Sequence, residues 1–576
     1  MTFRPRIGVY ICHCGINIAA TVDIAAVTEF AARLPGVVIS REYTYMCSDP
    51  GQAIIKQDIH DLDLNRVVVA SCSPRMHEPT FRATISDAGL NPYCFEMANI
   101  REQCSWVHAG SAATTLKAIE LVSSAVGKAA QLEPLQERQV PVTPAALVIG
   151  GGVSGMQAAL DIAEAGFQVT LVERKNRLGG HVAHLYKTFP TLESAGDLVN
   201  SLIDAVSNHP GIKVITEAQV VEIGGYIGNF KATVMVNDHP LDVLAGAIIV
   251  ASGYEVFNPI RKPELGYGVY PGVLTTWDLE KLLPGDITVK GREPERVVFI
   301  KCVGSRDQTV GNPYCSRVCC MVTAKQARIL KQKLPKSQVT VFYMDVRAFG
   351  KDFEIFYDKT REAGVIYRRG NPSEIIQKGD HLVVRAEDTL LGEPVEVEAD
   401  LVVLAVGMEP DPQSDDIAGL LKLARSSDGF FLEAHPKLRP VDTATAGVFL
   451  AGCCQGPKDM AESINQARAA AAAAMIPLMR GEVPVDAATS FIESELCSGC
   501  GQCAEVCTYS ALTLHPVRKV MTVNPVLCQG CGACAAACPS GAINVHQFTF
   551  TQFMAQIEAF SNGWEVSEPS KKLEKV

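Results

Sequence analysis

The stretch Leu147-Val-Ile-Gly150-Gly151-Gly152-Val-Ser-Gly155-Met-Gln-Ala-Ala-Leu160 decides the fold. It reads as a buried strand, a Gly-x-Gly-x-x-Gly turn and a helix. Gly150 permits the tight turn, Gly152 lets a diphosphate approach the backbone, and Gly155 lets helix and strand pack closely. Val153 and Ser154 open the helix, where free N–H groups and the helix dipole favour negative charge. The next strand, Gln168-Val-Thr-Leu-Val-Glu173, ends in an acid placed to bond ribose hydroxyls. The unit is therefore built for a dinucleotide.

The residues beyond Glu173 select which dinucleotide. Arg174-Lys-Asn-Arg-Leu-Gly179-Gly180-His181 resembles the Glu-x5-Gly-Gly extension of flavoproteins with two dinucleotide-binding domains. Ala251-Ser252-Gly253 and Ala405-Val-Gly407 resemble their strand-ending crossover turns, and Thr445-Ala-Gly-Val-Phe-Leu-Ala-Gly452 resembles their closing FAD motif. FAD is the expected ligand, with Gly150, Gly152, Val153, Ser154, Gly155, Glu173, Arg174, Gly180, His181, Ala251, Ser252, Gly253 and Gly452 at its site. A NAD site at Gly150 is the alternative. Cys453 stands where the closing motif usually carries Asp, which leaves that contact open.

Toward the C-terminus the spacing is Cys497-x2-Cys500-x2-Cys503-x3-Cys507, then Cys528-x2-Cys531-x2-Cys534-x3-Cys538-Pro539. A CxxCxxC loop wraps three thiolates around one face of a [4Fe–4S] cubane, and the fourth Cys of each run reaches the other cluster. One cluster should take Cys497, Cys500, Cys503 and Cys538, the other Cys528, Cys531, Cys534 and Cys507. A zinc site is the alternative, and the doubled register argues against it. Thr508 replaces the usual Pro after Cys507, which alters the turn and not the ligand.

Inserted in the flavin domain, a second nucleotide unit is expected at about residues 291–400, with Arg296-Val-Val-Phe-Ile300 as its first strand and a glycine loop directly after. The sequence instead reads Lys301-Cys302-Val-Gly304-Ser-Arg306, which cannot easily cradle a diphosphate. The next strand, Gln338-Val-Thr-Val-Phe-Tyr-Met-Asp345, survives, so the fold is expected to be kept and the nicotinamide site lost. In its place stand Cys302, Cys315, Cys319 and Cys320, enough thiols for another cubane. Buried or redox-active thiols are the alternative there.

Composition sets the frame around these motifs. The 576 residues are 47% hydrophobic and 20% charged, as in an ordinary globular chain, and too many for one core. A net charge of −11 without a Lys/Arg run argues against nucleic acid. No apolar stretch is long enough to span a membrane. After Arg4 and Arg6 the N-terminus enters a strand, not a secretory leader, so a cytoplasmic location is the expectation. Twenty Cys in such a chain point to metal rather than disulfides. The expected organisation is an N-terminal α/β domain (1–130), a Pro-containing linker (131–144), a flavin domain (145–485), a ferredoxin-like domain (486–548) and a tail (549–576).

Further motifs extend over nearly all of residues 1–540. They are Cys12-His-Cys-Gly15, Tyr45-Met-Cys-Ser48, Ser71-Cys-Ser-Pro-Arg-Met-His-Glu-Pro79, Asn99-Ile-Arg-Glu-Gln-Cys-Ser-Trp-Val107, the mid-chain Cys set, and Ala451-Gly-Cys-Cys-Gln-Gly-Pro457. With these the chain resembles the A-type subunit of the heterodisulfide reductases and its relatives in anaerobic electron-transfer complexes. The resemblance implies an FAD flanked by [4Fe–4S] clusters, with one on the four mid-chain Cys. It also implies a further cluster among Cys12, Cys14, Cys47, Cys72 and Cys104, without fixing which four. Buried structural thiols are the alternative there. His13 and His77 are expected to be structural or rim residues, and Cys453-Cys454 either touch the isoalloxazine or merely pack beside it. Larger family members carry an extra ferredoxin insert and Cys after the Phe-Pro-Thr motif; Phe189-Pro-Thr-Leu-Glu-Ser-Ala-Gly196 has none, so flavin-based bifurcation is not assumed.

The reading is an oxidoreductase with an α/β fold, namely a two-dinucleotide-binding-domain (thioredoxin-reductase-like) flavoprotein between an N-terminal α/β domain and a 2[4Fe–4S] ferredoxin-like α+β domain. Its function is to relay electrons between FAD and partner subunits: ones resembling the B and C subunits of heterodisulfide reductase, an electron-input subunit, and a second copy in a homodimer. One competing reading is a stand-alone NAD(P)H-dependent oxidoreductase similar to the glutamate synthase small subunit. The other is a scaffold with degenerate cofactor sites.

Overall fold

The structure is a computed structural model that describes residues 4–108, 110 and 112–566. The chain divides into two compact units, one of Val140–Val483 and one combining Met1–Gln139 with Pro484–Val576.

In the first unit, strand Ala145–Ile149 is the middle of a five-stranded parallel sheet. Ala247–Val250 and Val448–Leu450 lie to one side of it, Gln168–Val172 and Ile212–Ile215 to the other. A parallel sheet is covered on both faces, so its strands read as unbroken apolar runs. Leu147, Val148, Ile248 and Leu450 are accordingly fully buried, each contributing roughly 1.5–3 kcal/mol. Helix Val153–Glu164 packs on helix Met460–Arg480. The Ala467, Ala470, Ala471 and Ala474 face of the latter is buried, and an Asp459–Glu462 capping box opens it.

A second five-stranded parallel sheet runs Val273–Thr275, Leu401–Val406, Arg296–Val303, Gln338–Tyr343, Ile366–Arg369. Helix Cys319–Lys333 links its third and fourth strands. The inserted unit thus keeps its βαβ architecture without the glycine loop. Each parallel sheet has a three-stranded antiparallel companion, Ala218–Tyr226 to His239–Ala245 and Glu374–Lys378 to Glu393–Ala399. The expected α/β class is borne out.

The other unit holds a four-stranded parallel sheet in the order Val37–Tyr43, Ile7–Cys12, Arg66–Ser71, Phe95–Asn99. It also holds two antiparallel strand pairs, Ser490–Ile492 with Ile543–Val545 and Leu512–Leu514 with Met521–Val523. Tyr93 ties these regions together, donating to Asp486 Oδ1 at 3.0 Å and accepting from Ala487 N at 2.9 Å.

The stretch expected as a tail from residue 549 begins with a helix, Phe550–Val566, packed along helix Ala112–Ala129. The close approach depends on Gly127: a Cβ there would stand 2.6 Å from Ala555 O and from Ala559 Cβ. The charged run Lys571-Lys572 to Lys575 lies outside the described residues.

Candidate redox centres

At the C-terminal edge of the first sheet, a cavity of about 2140 Å³, counted out to open solvent, is lined by Gly150, Gly152, Val153, Ser154, Glu173, Arg174, Gly180, His181, Ala251, Ser252 and Gly253. Eleven of the thirteen residues expected at the dinucleotide site therefore share one wall. The other two act behind it. A Cβ at Gly155 would sit 1.8 Å from Gly150 O, and one at Gly452 would sit 2.2 Å from Ser154 Oγ, so both glycines permit close packing. Gly152 caps the helix Val153–Glu164, and a Cβ there would meet nothing within 4 Å. That open space at a helix N-terminus fits a diphosphate. Glu173 accepts from Gly151 N at 2.7 Å and Lys175 N at 2.8 Å, which fixes its carboxylate against the turn. Ser252 Oγ is buried, lines the cavity and has no partner among the described residues. An orphaned hydroxyl costs roughly 1–3 kcal/mol, and a bound cofactor would satisfy it.

Tyr254, Trp277, Lys325 and Glu280 also line the cavity and carried no sequence signal. His181 stacks on Tyr254 at 4.2 Å and lies 5.2 Å from Trp277, and burial pushes its pKa down. Lys325 and Glu280 form an ion pair at 2.5 Å that is almost wholly buried on the same wall. Glu280 also accepts from Tyr186 N at 2.9 Å, and Lys325 donates to Lys187 O at 2.8 Å. Cys453 lines the cavity as well, while Cys454 is buried against Val250 O at 3.2 Å.

One of the mid-chain Cys, Cys319, reaches the same cavity. A β-bulge between Ile300 and Val303 places Cys302 at φ +60°, turning its thiol out of strand register toward the start of helix Cys319–Lys333. There Cys302 contacts Cys319, and Cys319 contacts Cys320, in one buried cluster. The first contact holds the Cys302 thiol low and pushes Cys319 up to about 12. Cys315 lies within electrostatic reach of Cys302, and its sulfur accepts from Arg317 N at 3.3 Å. Ser305 and Ser316, linked at 3.0 Å, brace the intervening loop. Cys319 lines the dinucleotide cavity.

In the N-terminal sheet, loops after three strand ends gather Cys12, Cys14, Cys47 and Cys72. Cys14 N donates to Cys12 Sγ at 3.3 Å. Burial raises Cys12, Cys47 and Cys72 (the last to about 11), and neighbouring thiols of the set add to each shift. Arg101 reaches into the set, donating to Cys14 Sγ at 3.0 Å. Cys104 stands apart: it is fully buried in the helical core and donates to Thr114 O at 3.2 Å. Cys94 is buried elsewhere, beside Arg66. His13 pairs with Glu42 at 3.4 Å, and His77 packs edge-on to Phe81.

In the C-terminal module, Cys507, Cys528, Cys531 and Cys534 line one cavity of about 320 Å³, counted out to open solvent. This is the second quartet expected from the spacing. Of the first quartet, Cys497, Cys503 and Cys538 share an apolar cluster, and Cys500 is exposed. Met521 N donates to Cys497 Sγ at 3.4 Å and Ser490 N donates to Cys528 Sγ at 3.3 Å, so the strand of each half serves the sulfur of the other. Among the described residues no three Cys, His, Asp or Glu converge tightly enough for a single metal ion. Zinc needs all its ligands about 2–2.3 Å from one point, whereas a cubane holds each thiolate on its own iron.

Comparison with known proteins fits these sites. Residues 144–474, more than half the chain, match the family "Pyridine nucleotide-disulphide oxidoreductase", and residues 496–542 match "4Fe-4S dicluster domain". The second iron–sulfur A-type subunit of CoB–CoM heterodisulfide reductase from Methanopyrus kandleri is 47% identical, over 89% of this chain and 91% of its own length. The chain belongs to the family of heterodisulfide reductase A-type subunits. Another member, the A-type subunit of the H(2):CoB–CoM heterodisulfide,ferredoxin reductase from Methanothermobacter thermautotrophicus, is 44% identical over 97% of this chain and 98% of its own. The alignment with the Methanopyrus member spans 599 residues, longer than this whole chain, so that relative carries insertions that are missing here. Among solved structures, T. acidophilum thioredoxin reductase aligns with a TM-score of 0.41 and 20% identity, over 59% of this chain and 99% of that one. As a family member this chain is an oxidoreductase, an electron-transferring flavoprotein with an iron–sulfur domain. No helix among the described residues is long and apolar enough to cross a membrane.

Proposed function

We propose that this chain holds FAD in the cavity around Gly152 and four [4Fe–4S] clusters, and relays electrons through them between partner subunits of a heterodisulfide-reductase-type complex in the cytoplasm. The cluster ligands are the two C-terminal quartets, the mid-chain Cys302, Cys315, Cys319 and Cys320, and the N-terminal Cys12, Cys14, Cys47 and Cys72. When bound, FAD exchanges electrons singly or in pairs, and a cubane passes them one at a time.

The observation that carries the reading is the position of Cys319, which lines the cavity while packed among the mid-chain thiols. Around it the chain's residues have distinct tasks. Gly152 and the helix N-terminus receive the diphosphate, Glu173 is placed for the ribose, and Ser252 offers its unspent hydroxyl. His181, Tyr254 and Trp277 wall off water, and the Lys325–Glu280 pair holds a proton at the cavity wall. No thiol-rich repeat for cleaving a disulfide substrate remains once these sets are assigned, so that chemistry belongs to a partner.

Iron, sulfide and flavin analysis of the full chain isolated without oxygen tests the reading. The expected result is roughly sixteen iron atoms per FAD. A folded, flavin-loaded chain with iron for the ferredoxin module alone would overturn it.

A further inference from the structure

Three Lys are buried among the described residues: Lys128, Lys301 and Lys325. Two of them have a carboxylate, Glu96 at 2.7 Å from Lys128 and Glu280 at 2.5 Å from Lys325. Lys301, 3% exposed, has no carboxylate within ion-pair distance among those residues. Its ammonium donates to the main-chain oxygen of Asp345 at 3.0 Å and lies 5.4 Å from the centre of the Tyr343 ring. The Asp345 carboxylate is turned instead to Arg306, 2.7 Å away, and to Arg347, 3.3 Å away. A buried charge is costly unless an anion answers it, so the site has to supply one.

The groups in reach are the mid-chain thiols. Consecutive residues of a strand normally face opposite sides of the sheet. The bulge between Ile300 and Val303 breaks that alternation and lets Lys301 and Cys302 reach the same thiols. The ammonium lies within electrostatic reach of Cys302, Cys319 and Cys320 and favours the thiolate of each. Cys320 Sγ lies 3.9 Å from the same Asp345 oxygen and accepts from Arg347 N at 3.3 Å. Cation and sulfur thus converge on one carbonyl. Met321, Phe353 and Phe356 pack around the thiols, and in such an apolar setting a charge is felt more strongly than in water.

A cubane with four thiolate ligands is an anion in both oxidation states, and more so when reduced. A fixed cation beside it favours the reduced state. We infer that Lys301 is the counter-charge of the mid-chain cluster and raises the potential of this relay. The inference rests on the cluster proposed for Cys302, Cys315, Cys319 and Cys320. Lys301 does not line the dinucleotide cavity, so it is a positioning residue that acts on the flavin through the cluster.

Redox titration of the full, anaerobically isolated chain, followed by paramagnetic resonance, tests it. The signal that Cys319→Ser removes marks the mid-chain cluster. Lys301→Gln keeps a donor for Asp345 O and drops the charge. It should lower that cluster's midpoint by at least about 59 mV, a tenfold shift in a one-electron equilibrium, with iron and flavin contents unchanged. Lys301→Arg should keep the wild-type midpoint. Lys301→Met should show the same fall as Lys301→Gln, and it decides the matter if the Gln variant loses its cofactors. Loss of the mid-chain iron in both neutral variants with retention in Lys301→Arg would also support the inference, and loss in all three would overturn it. A wild type without mid-chain iron would overturn the cluster and the inference together. Full iron with an unmoved midpoint in the neutral variants would overturn the inference alone.

Discussion

Arg101 donates from Nη1 to Cys14 Sγ at 3.0 Å, and the same guanidinium pairs with Glu102 at 2.7 Å. It is nearly buried and stacked on Trp106, 4.5 Å from the ring centre. A fixed cation at a thiolate cluster favours the reduced, more negative state. Arg101→Gln should therefore lower the potential of the proposed N-terminal cluster, by on the order of 60–120 mV if the bond is worth an ordinary charge-assisted hydrogen bond. Redox titration followed by paramagnetic resonance would read it. An unshifted potential would remove Arg101 from the site.

Cys319→Ser should cost about four iron atoms per chain and leave the FAD bound. Photoreduction of the flavin should then no longer reach the ferredoxin module at the wild-type rate. Full iron content in this variant would show that the mid-chain thiols hold no cluster.

The bulge at Cys302 takes the place where a second diphosphate cradle would begin. Excess NADH or NADPH should leave the visible flavin band of the isolated chain unchanged while a chemical reductant bleaches it. Rapid bleaching by NADH would restore the stand-alone oxidoreductase reading.

Gly155→Ala forces a methyl against Gly150 O, 1.8 Å away. Displacing the turn should destabilise the flavin unit by at least about 3 kcal/mol and abolish FAD retention. Thermal melting and flavin content would check this together.

Proton competition gives a pH dependence. The proposed ligands are thiolates, yet burial pushes Cys72 to about 11, and contact with the Cys302 thiol pushes Cys319 to about 12. Both are protonated in the empty chain at neutral pH, so cluster assembly releases their protons. Occupancy on reconstitution should rise from pH 7 to pH 9 and fall below pH 7, read as iron bound per flavin. A loading curve flat across that range would contradict these shifts.

The glycine turn and the doubled Cys register were legible because the pattern of each is local: the turn and each run of four Cys lie within a dozen positions. The second Cys quartet appears around one cavity as the spacing required. The N-terminal quartet was not legible. Its members lie up to sixty positions apart, and only the order of the parallel strands brings their loops together and leaves Cys104 in the core. The Lys325–Glu280 pair escaped for a similar reason, since a Lys in a helix that also carries Arg328, Lys331 and Lys333 reads as a surface residue until its partner is known. The helix after Phe550 was missed because its inward face is made of Gln552, Ala555 and Ala559. Its large apolar residues point away, the reverse of the usual amphipathic pattern.

In the C-terminal module, Ser490 serves the sulfur of the second half and Met521 that of the first. This exchange makes the two halves hostages of one another. With a cluster in each quartet as proposed, damage to one should loosen the strand that belongs to the other half. The module should be lost or restored only as a pair.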